Sequence, residues 1–401
     1  MKLTPTPVCT MKGFLWNMGK SPHVSKYTEA GEIEGFDLTG LFTPLYPSTM
    51  FENKYEYPFK PKEKLPVGDL AICGVFAIGN PYFESRVIFA TESEENAYHE
   101  FAIADLLYAI KVRAKTITDV ENLDFEAGLN FSHPNITKVT YAGETTDNKR
   151  FGLMELVDGI SLHQAIELLH SKTLNPDRPI LKQKRRRDDN ILTPFQAISQ
   201  PVHGTHSGIE HYEKNLPIFF SPEARVLLRE QLKKEILQAL LTVAEIFLYL
   251  SSVETGNHKG IVHRDIKPLN ILLTCDDGKI TPHVIDFGAC CHPYVEEGAL
   301  KTGIMKGTLG YAAPELISGG DINSQTDFFS LSALIYKVFS GKAPFKGINQ
   351  EQTMRMTAEN DPEPLTQADF NDFVMRGLAK NPSKRLSGND FVEELRQLLS
   401  A

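Results

Sequence analysis

"IVHRDIKPLNILL" spans residues 261–273, and "HVIDFGACC" follows at 283–291. In the first stretch an apolar run feeds a polar loop that carries His263, Arg264, Asp265, Lys267 and Asn270, and then turns apolar again. In the second an apolar strand delivers Asp286 two residues before Gly288. Two acids and an asparagine brought together suit a divalent cation, because Mg²⁺ takes a few hard oxygen ligands and shares phosphate oxygens. An acid not used for metal is free to accept a proton from a hydroxyl. Either aspartate alone would read as a capping or turn acid, the commoner use of a loop aspartate. It is the joint, ordered pattern that points to chemistry.

Working outward, more ordered motifs appear. Upstream lie "YAIK" (108–111), "HPNI" (133–136) and "LMELVDGISL" (153–162). Downstream lie "GTLGYAAPE" (307–315), "TDFFSLSALIYKVFSGKAPF" (326–345) and "LAKNPSKRLSGNDFVEEL" (378–395). Over about residues 85–401 the chain resembles the eukaryotic-type serine/threonine protein kinase family, as a divergent member.

The resemblance implies a set of roles. Asp265 would accept or orient the substrate hydroxyl proton, Lys267 would neutralise the transferring phosphoryl group, and Lys111 would hold the α- and β-phosphates of ATP. Asn270 and Asp286 would bind Mg²⁺, with Mn²⁺ as the alternative ion. Ala109 and Leu272 would sandwich the adenine, and the hinge would follow Met154, with Glu155 and Val157 meeting the adenine edge. His263 would be a packing residue. Arg264 implies a basic pocket for an anion from the activation segment, with Thr302 as its phosphosite. Thr308 would hydrogen-bond Asp265 and Lys267; it and Lys267 point to serine or threonine substrates. Glu315 and Arg385 would form a buried structural ion pair, and Asp327 a structural acid on the central helix. The counter-reading is a pseudokinase that acts as a scaffold or allosteric partner.

The residues themselves give a compatible organisation. Strand-like runs ("SRVIFA", "AYHEFAIA", "LLYAIKVRA", "TKVTYAGE", "RFGLMELV") come first, and helical patterns dominate afterwards, notably 223–251, 327–340 and 389–400. A further helix is expected from about Ile117 to Phe131 on the stripe Val120, Leu123, Ala127, Phe131. Strands first and helices later predict an α+β fold, a small β-rich N-lobe and a larger helical C-lobe. The expected parts are a loop-rich extension over 1–84 packed on the rest, an N-lobe over about 85–154, a hinge over 155–159, and a C-lobe over 160–401 interrupted by an insertion at about 171–222.

Three features depart from the family pattern. "ATESEENAY" (90–98), where a glycine-rich phosphate loop belongs, has no glycine and carries Glu92, Glu94 and Glu95. A carboxylate about 6 Å from a phosphate charge costs about 0.7 kcal/mol at water-like screening and about 2.8 kcal/mol at an effective dielectric of about 20. Weakened rather than abolished ATP binding is expected. The helix acid that should pair with Lys111 falls on Asp124 by family spacing, with Glu126 and Glu121 as rivals. The insertion carries "KQKRRR", and Lys182–Arg187 reads as a docking patch for an acidic partner, a nuclear import signal, or a solvated loop.

Bulk composition sets the remaining bounds. A net charge of −9 argues against general nucleic-acid binding. Cys9, Cys73, Cys275, Cys290 and Cys291 show neither disulfide nor metal spacing, so a reducing, cytoplasmic setting is expected, with a nucleus or a host cell entered by a bacterial effector as alternatives. With no apolar run of about 20 residues, no membrane span is expected.

Overall fold

The structure, a computed structural model, describes residues 23–27, 33–38, 61–66, 71–78, 85–91, 108–112, 129, 132–157, 159–171, 174, 222–255, 258–276, 279–293 and 307–401. The elements run β1 (His23–Tyr27), β2 (Ile33–Asp37), β3 (Ala71–Ile78), β4 (Ser85–Thr91), β5 (Tyr108–Val112), β6 (Val139–Glu144), β7 (Arg150–Glu155), β8 (Ile160–Ser161), α1 (Leu162–Leu169), α2 (Pro222–Ser252), β9 (Glu254–Thr255), β10 (His258–Lys259), β11 (Ile271–Asp276) and β12 (Lys279–Val284). Helices then take over: α3 (Pro314–Ser318), α4 (Ser324–Ser340), α5 (Gln350–Glu359), α6 (Ala368–Gly377) and α7 (Gly388–Ser400). This is the α+β, two-lobed arrangement.

An antiparallel sheet in the order β3-β4-β5-β7-β6 forms the small lobe. It opens at Ala71, upstream of the boundary expected at 85. "AICGVFAI" hides its strand character because Gly74 interrupts the run, and a register shift between Ile72 and Gly74 leaves Cys73 as the extra residue while Gly74 pairs with Phe89. The leading segment is likewise not only loop. β1 and β2 pair, Leu38 is buried in the core of the large lobe, and β2 lies along α2. Lys62 donates its backbone N–H to Glu144 O at 2.8 Å, which fixes this segment to the small lobe.

Helix α2 is the spine of the large lobe. Leu228, Leu232, Ile236, Leu240, Val243, Phe247 and Leu250 recur at three- and four-residue spacing and are all buried. Arg225–Ser252 is long and apolar enough to cross a bilayer by length and composition, but α2 packs against α4, α7 and β12. Its hydrophobicity is used within the fold. Asn323 caps α4 in a capping box with Thr326, and Gly341 ends it in the left-handed region at φ 75°.

The lobes are joined on the far side of the cleft by backbone bonds. Val284 donates to Asn135 O at 2.8 Å and Thr137 donates to Val284 O at 3.0 Å. Asn135 adds its side-chain amide to Pro282 O at 2.8 Å. "HPNI" therefore works as a hinge pin against β12. The helix expected to run to Phe131 does not include Leu129, which is buried outside any regular element. The rest of that helix, "AYHEFAIA", and most of 171–222 lie outside the described residues.

Candidate active site

Strand alternation sets the upper wall. On β5, Ile110 and Val112 face the core, which turns Ala109 and Lys111 to the opposite face. Lys111 sits opposite Gly152 and Ala109 opposite Met154, in register with the strand that leads to Glu155. Glu155 is exposed and Val157 half-buried, with Gly159 N–H bonded to Val157 O at 3.0 Å. Below, Ile271 and Leu273 are buried while Leu272 is half-buried on the other face of β11.

The polar loop of 263–270 is held from beneath by Asp327. Its Oδ2 accepts the His263 backbone N–H at 2.8 Å and its Oδ1 accepts that of Arg264 at 3.0 Å. Burial pushes the Asp327 carboxyl up, against the pull of His263 and Arg264. The His263 ring is buried, 4.7 Å from Phe287, with Nε2 3.1 Å from Ile285 O. It joins the two chemical loops and does not face the cleft as a base.

Arg264 is buried. Its guanidinium donates to Ala289 O and, at 3.1 Å, to Cys290 O, while its backbone sits at φ 67°. The carbonyls of Ala289 and Cys290 thus tie its side chain to the stretch that follows Asp286. A charge-assisted bond to buried carbonyls satisfies both sides.

Asp265 stands at the centre. Lys267 Nζ donates to its Oδ2 at 2.7 Å, Asn270 Nδ2 to the same oxygen at 3.2 Å, and Thr308 Oγ1 to its Oδ1 at 2.7 Å. Asn270 Nδ2 also donates to Asp265 O at 2.9 Å. The asparagine amide is thus turned to Asp265, which leaves its carbonyl oxygen as an acceptor. Asp286, at φ 67°, occupies the left-handed region that aspartate tolerates better than most residues. Lys111 Nζ lies 2.7 Å from Asp286 Oδ1. Burial would raise the Asp286 carboxyl, but Lys111, with Lys267 and His263, holds it well below the usual carboxylate range.

Beyond the cleft, Arg385 grips Glu315 with two bonds, Nη1–Oε1 at 2.7 Å and Nη2–Oε2 at 2.8 Å, and both side chains are buried. Thr326 Oγ1 adds a bond to Glu315 Oε1 at 2.9 Å, and Arg385 stacks 4.8 Å from the Phe329 ring. Sequence reading missed Thr326, whose only signal was its place three residues after Asn323. It also missed the carbonyls of Ala289 and Cys290. Asp124, Glu126, Glu121, Thr302, the acidic 92–98 stretch and Lys182–Arg187 lie outside the described residues. Among the described residues, no group of three or more His, Cys, Asp or Glu is placed to hold a metal ion. A site at Asn270 and Asp286 would therefore rely on oxygens of the nucleotide as well.

Residues 219–397 match the family model described as the protein kinase domain. Residues 219–397 thus form a protein kinase domain. The chain is 33% identical over 146 residues to calcium-dependent protein kinase 27 of Arabidopsis thaliana, covering 35% of this chain and 29% of that protein. It is 29% identical over 154 residues to serine/threonine-protein kinase PknB of Mycobacterium leprae, covering 37% and 24%. It is 33% identical over 184 residues to serine/threonine-protein kinase AtPK1/AtPK6 of Arabidopsis thaliana, covering 45% and 36%. The chain thus spans little more than a third, at most, of the length of these relatives. The match includes Asp265, Asn270, Asp286 and Arg385, whereas Lys111 and Ala109 precede it.

Proposed function

We propose that this kinase transfers the γ-phosphoryl group of ATP to serine or threonine hydroxyls of proteins. The observation that carries this reading is the hydrogen-bonded set around Asp265, with Lys267 and Thr308 on its two oxygens. Asp265 would accept the hydroxyl proton as the oxygen attacks the γ-phosphorus. Lys267, already 2.7 Å from Asp265, sits where it can also meet the transferring group. Thr308 ties the substrate platform of 307–313 to the base, which fixes the angle of attack.

Asn270 and Asp286 fit a magnesium site: one free amide carbonyl and one carboxylate held ionised, a hard-oxygen pair that leaves room for phosphate oxygens. Magnesium, when bound there, would neutralise charge on the β- and γ-phosphates. Lys111 would then divide its charge between Asp286 and the α- and β-phosphates. Transfer through a loose transition state asks mainly for placement and charge, which these five side chains supply.

The test is transfer of label from γ-labelled ATP with Mg²⁺ to a mixed peptide pool, followed by phosphoamino-acid analysis. Phosphoserine and phosphothreonine are expected, with Asp265→Asn near background. Phosphotyrosine alone, or no label above Asp265→Asn, overturns the reading and favours the scaffold alternative.

A further inference from the structure

We infer that the kinase selects acidic protein segments, whose carboxylates dock on a basic shelf formed by Lys337, Arg229, Lys233 and Lys346 beside the substrate platform. This rests on the kinase reading above and names the substrate class for that site.

The shelf is connected to the chemistry by a short chain of bonds. Thr308, bonded to Asp265, accepts the Tyr311 backbone N–H on its carbonyl at 3.1 Å. Ser330 Oγ holds Tyr311 O at 2.9 Å, so the platform is fixed onto α4. The Tyr311 hydroxyl then accepts from Lys337 Nζ at 3.2 Å. Burial pushes the Tyr311 phenol up to about 12, so it stays neutral and cannot compensate the ammonium.

The cations converge from two helices and the loop after α4. His170 Nε2 lies 2.9 Å from Val338 O, and its pKa is lowered first by burial and then by Arg229, Lys337 and Lys233 around it. Lys346 bears on Lys337 in the same sense, whose own pKa burial lowers most. Lys233 also lies 5.9 Å from the Phe339 ring. The neighbouring acids are Glu230, paired with Lys233, and Glu167, which is 3.2 Å from His163 and partly offsets Lys337. Among the described residues Lys337, Lys346 and Arg229 form no ion pair. Four cations against two acids leave a local positive excess among the described residues of a chain of net charge −9, and an incoming carboxylate would lower their mutual repulsion.

The experiment uses the full chain and two peptides with one serine acceptor, flanked on both sides by glutamate in one and by arginine in the other. The expected kcat/KM is about tenfold higher for the glutamate peptide, falling to parity or below in Lys337→Glu and dropping severalfold in Lys346→Glu, while Lys337→Arg keeps the preference. Lys346 is exposed, so its variant reads the shelf without touching the core. Equal use of both peptides, an arginine preference, or a preference unmoved by both glutamate variants overturns the inference. In parallel, fluorescence anisotropy measures binding of alanine-acceptor versions to Asp265→Asn protein. Selective binding without transfer in the wild type would sink the kinase reading and leave the shelf standing. Transfer without acidic selectivity would do the reverse.

Discussion

Thr308 donates its hydroxyl to Oδ1 of Asp265 at 2.7 Å, while Oδ2 is held by Lys267 and Asn270. The proposed proton acceptor and the proposed substrate platform are therefore one hydrogen-bonded unit. Thr308→Val keeps the shape and deletes the bond. It is expected to lower kcat by about 10- to 100-fold with a smaller change in KM, as for other groups that position a catalytic side chain. Thr308→Ser should recover most of the rate. Steady-state kinetics of both variants check this, and a Thr308→Val enzyme with wild-type kcat would contradict it.

Glu315 and Arg385 are a stability matter. Both are buried and doubly bonded, so removing one strands the other's charge. Arg385→Ala is expected to cost about 3–5 kcal/mol of unfolding free energy. The exposed Arg396–Glu245 pair, at 2.8 Å, offers a control in the same lobe, and Arg396→Ala should cost far less than Arg385→Ala because solvent screens the pair. Denaturant melts of the two variants read the difference directly.

Lys380 has the opposite character. Its ammonium is buried 3.9 Å from the Phe345 ring and has no hydrogen-bond partner among the described residues. Burial lowers its pKa from 10.5 to about 8, against Asp361 and with Arg385. The unfolded chain thus binds the proton more tightly, and this group makes stability rise as pH climbs from 8 towards 10.5. Lys380→Met should raise stability at pH 7 by about 1 kcal/mol, well short of the full shift because the substitution also gives up the attraction to Asp361 and the contact with the Phe345 ring. It should also flatten the alkaline slope. A loss of stability at pH 7 would show that the contact with Phe345 outweighs the desolvation.

Asp286 and Lys111 predict the acid limb. The Asp286 carboxyl is held below its ordinary 3.8, so its contribution is present above that value and is lost as pH falls through the lower folded value. Lys111→Met removes the nearby cation and leaves burial, which raises the carboxyl. The variant should lose less stability than wild type between about pH 5 and pH 2, starting from a lower value at pH 7. Thermal melts across that range test both halves of the statement.

The helical part of this fold was legible because periodicity is local. Leu228, Leu232, Ile236 and Leu240 mark one face of α2 whatever surrounds it. The polar loop was legible because five polar side chains fall within residues 263–270 and Asp286 follows close behind. Strands β1, β2 and β3 were hidden, since a strand interrupted by Gly74 or flanked by proline-rich sequence is recognisable mainly through its partner. The contacts of Arg264 with the backbone carbonyls of Ala289 and Cys290 were hidden for a related reason, since carbonyls have no side-chain signature. Lys337 gave no signal of its own until Tyr311 was placed against it.

The central claim is that Asp265, Asn270 and Asp286 form a working phosphoryl-transfer site. The most direct measurement is the initial rate of Mg²⁺-dependent phosphate transfer from ATP to a serine peptide by wild type and by Asp265→Asn, with ATP raised until the rate saturates. A wild-type rate at least about 100-fold above Asp265→Asn, abolished by chelation of the metal, is the predicted result. Equal rates in the two proteins at saturating ATP would contradict it.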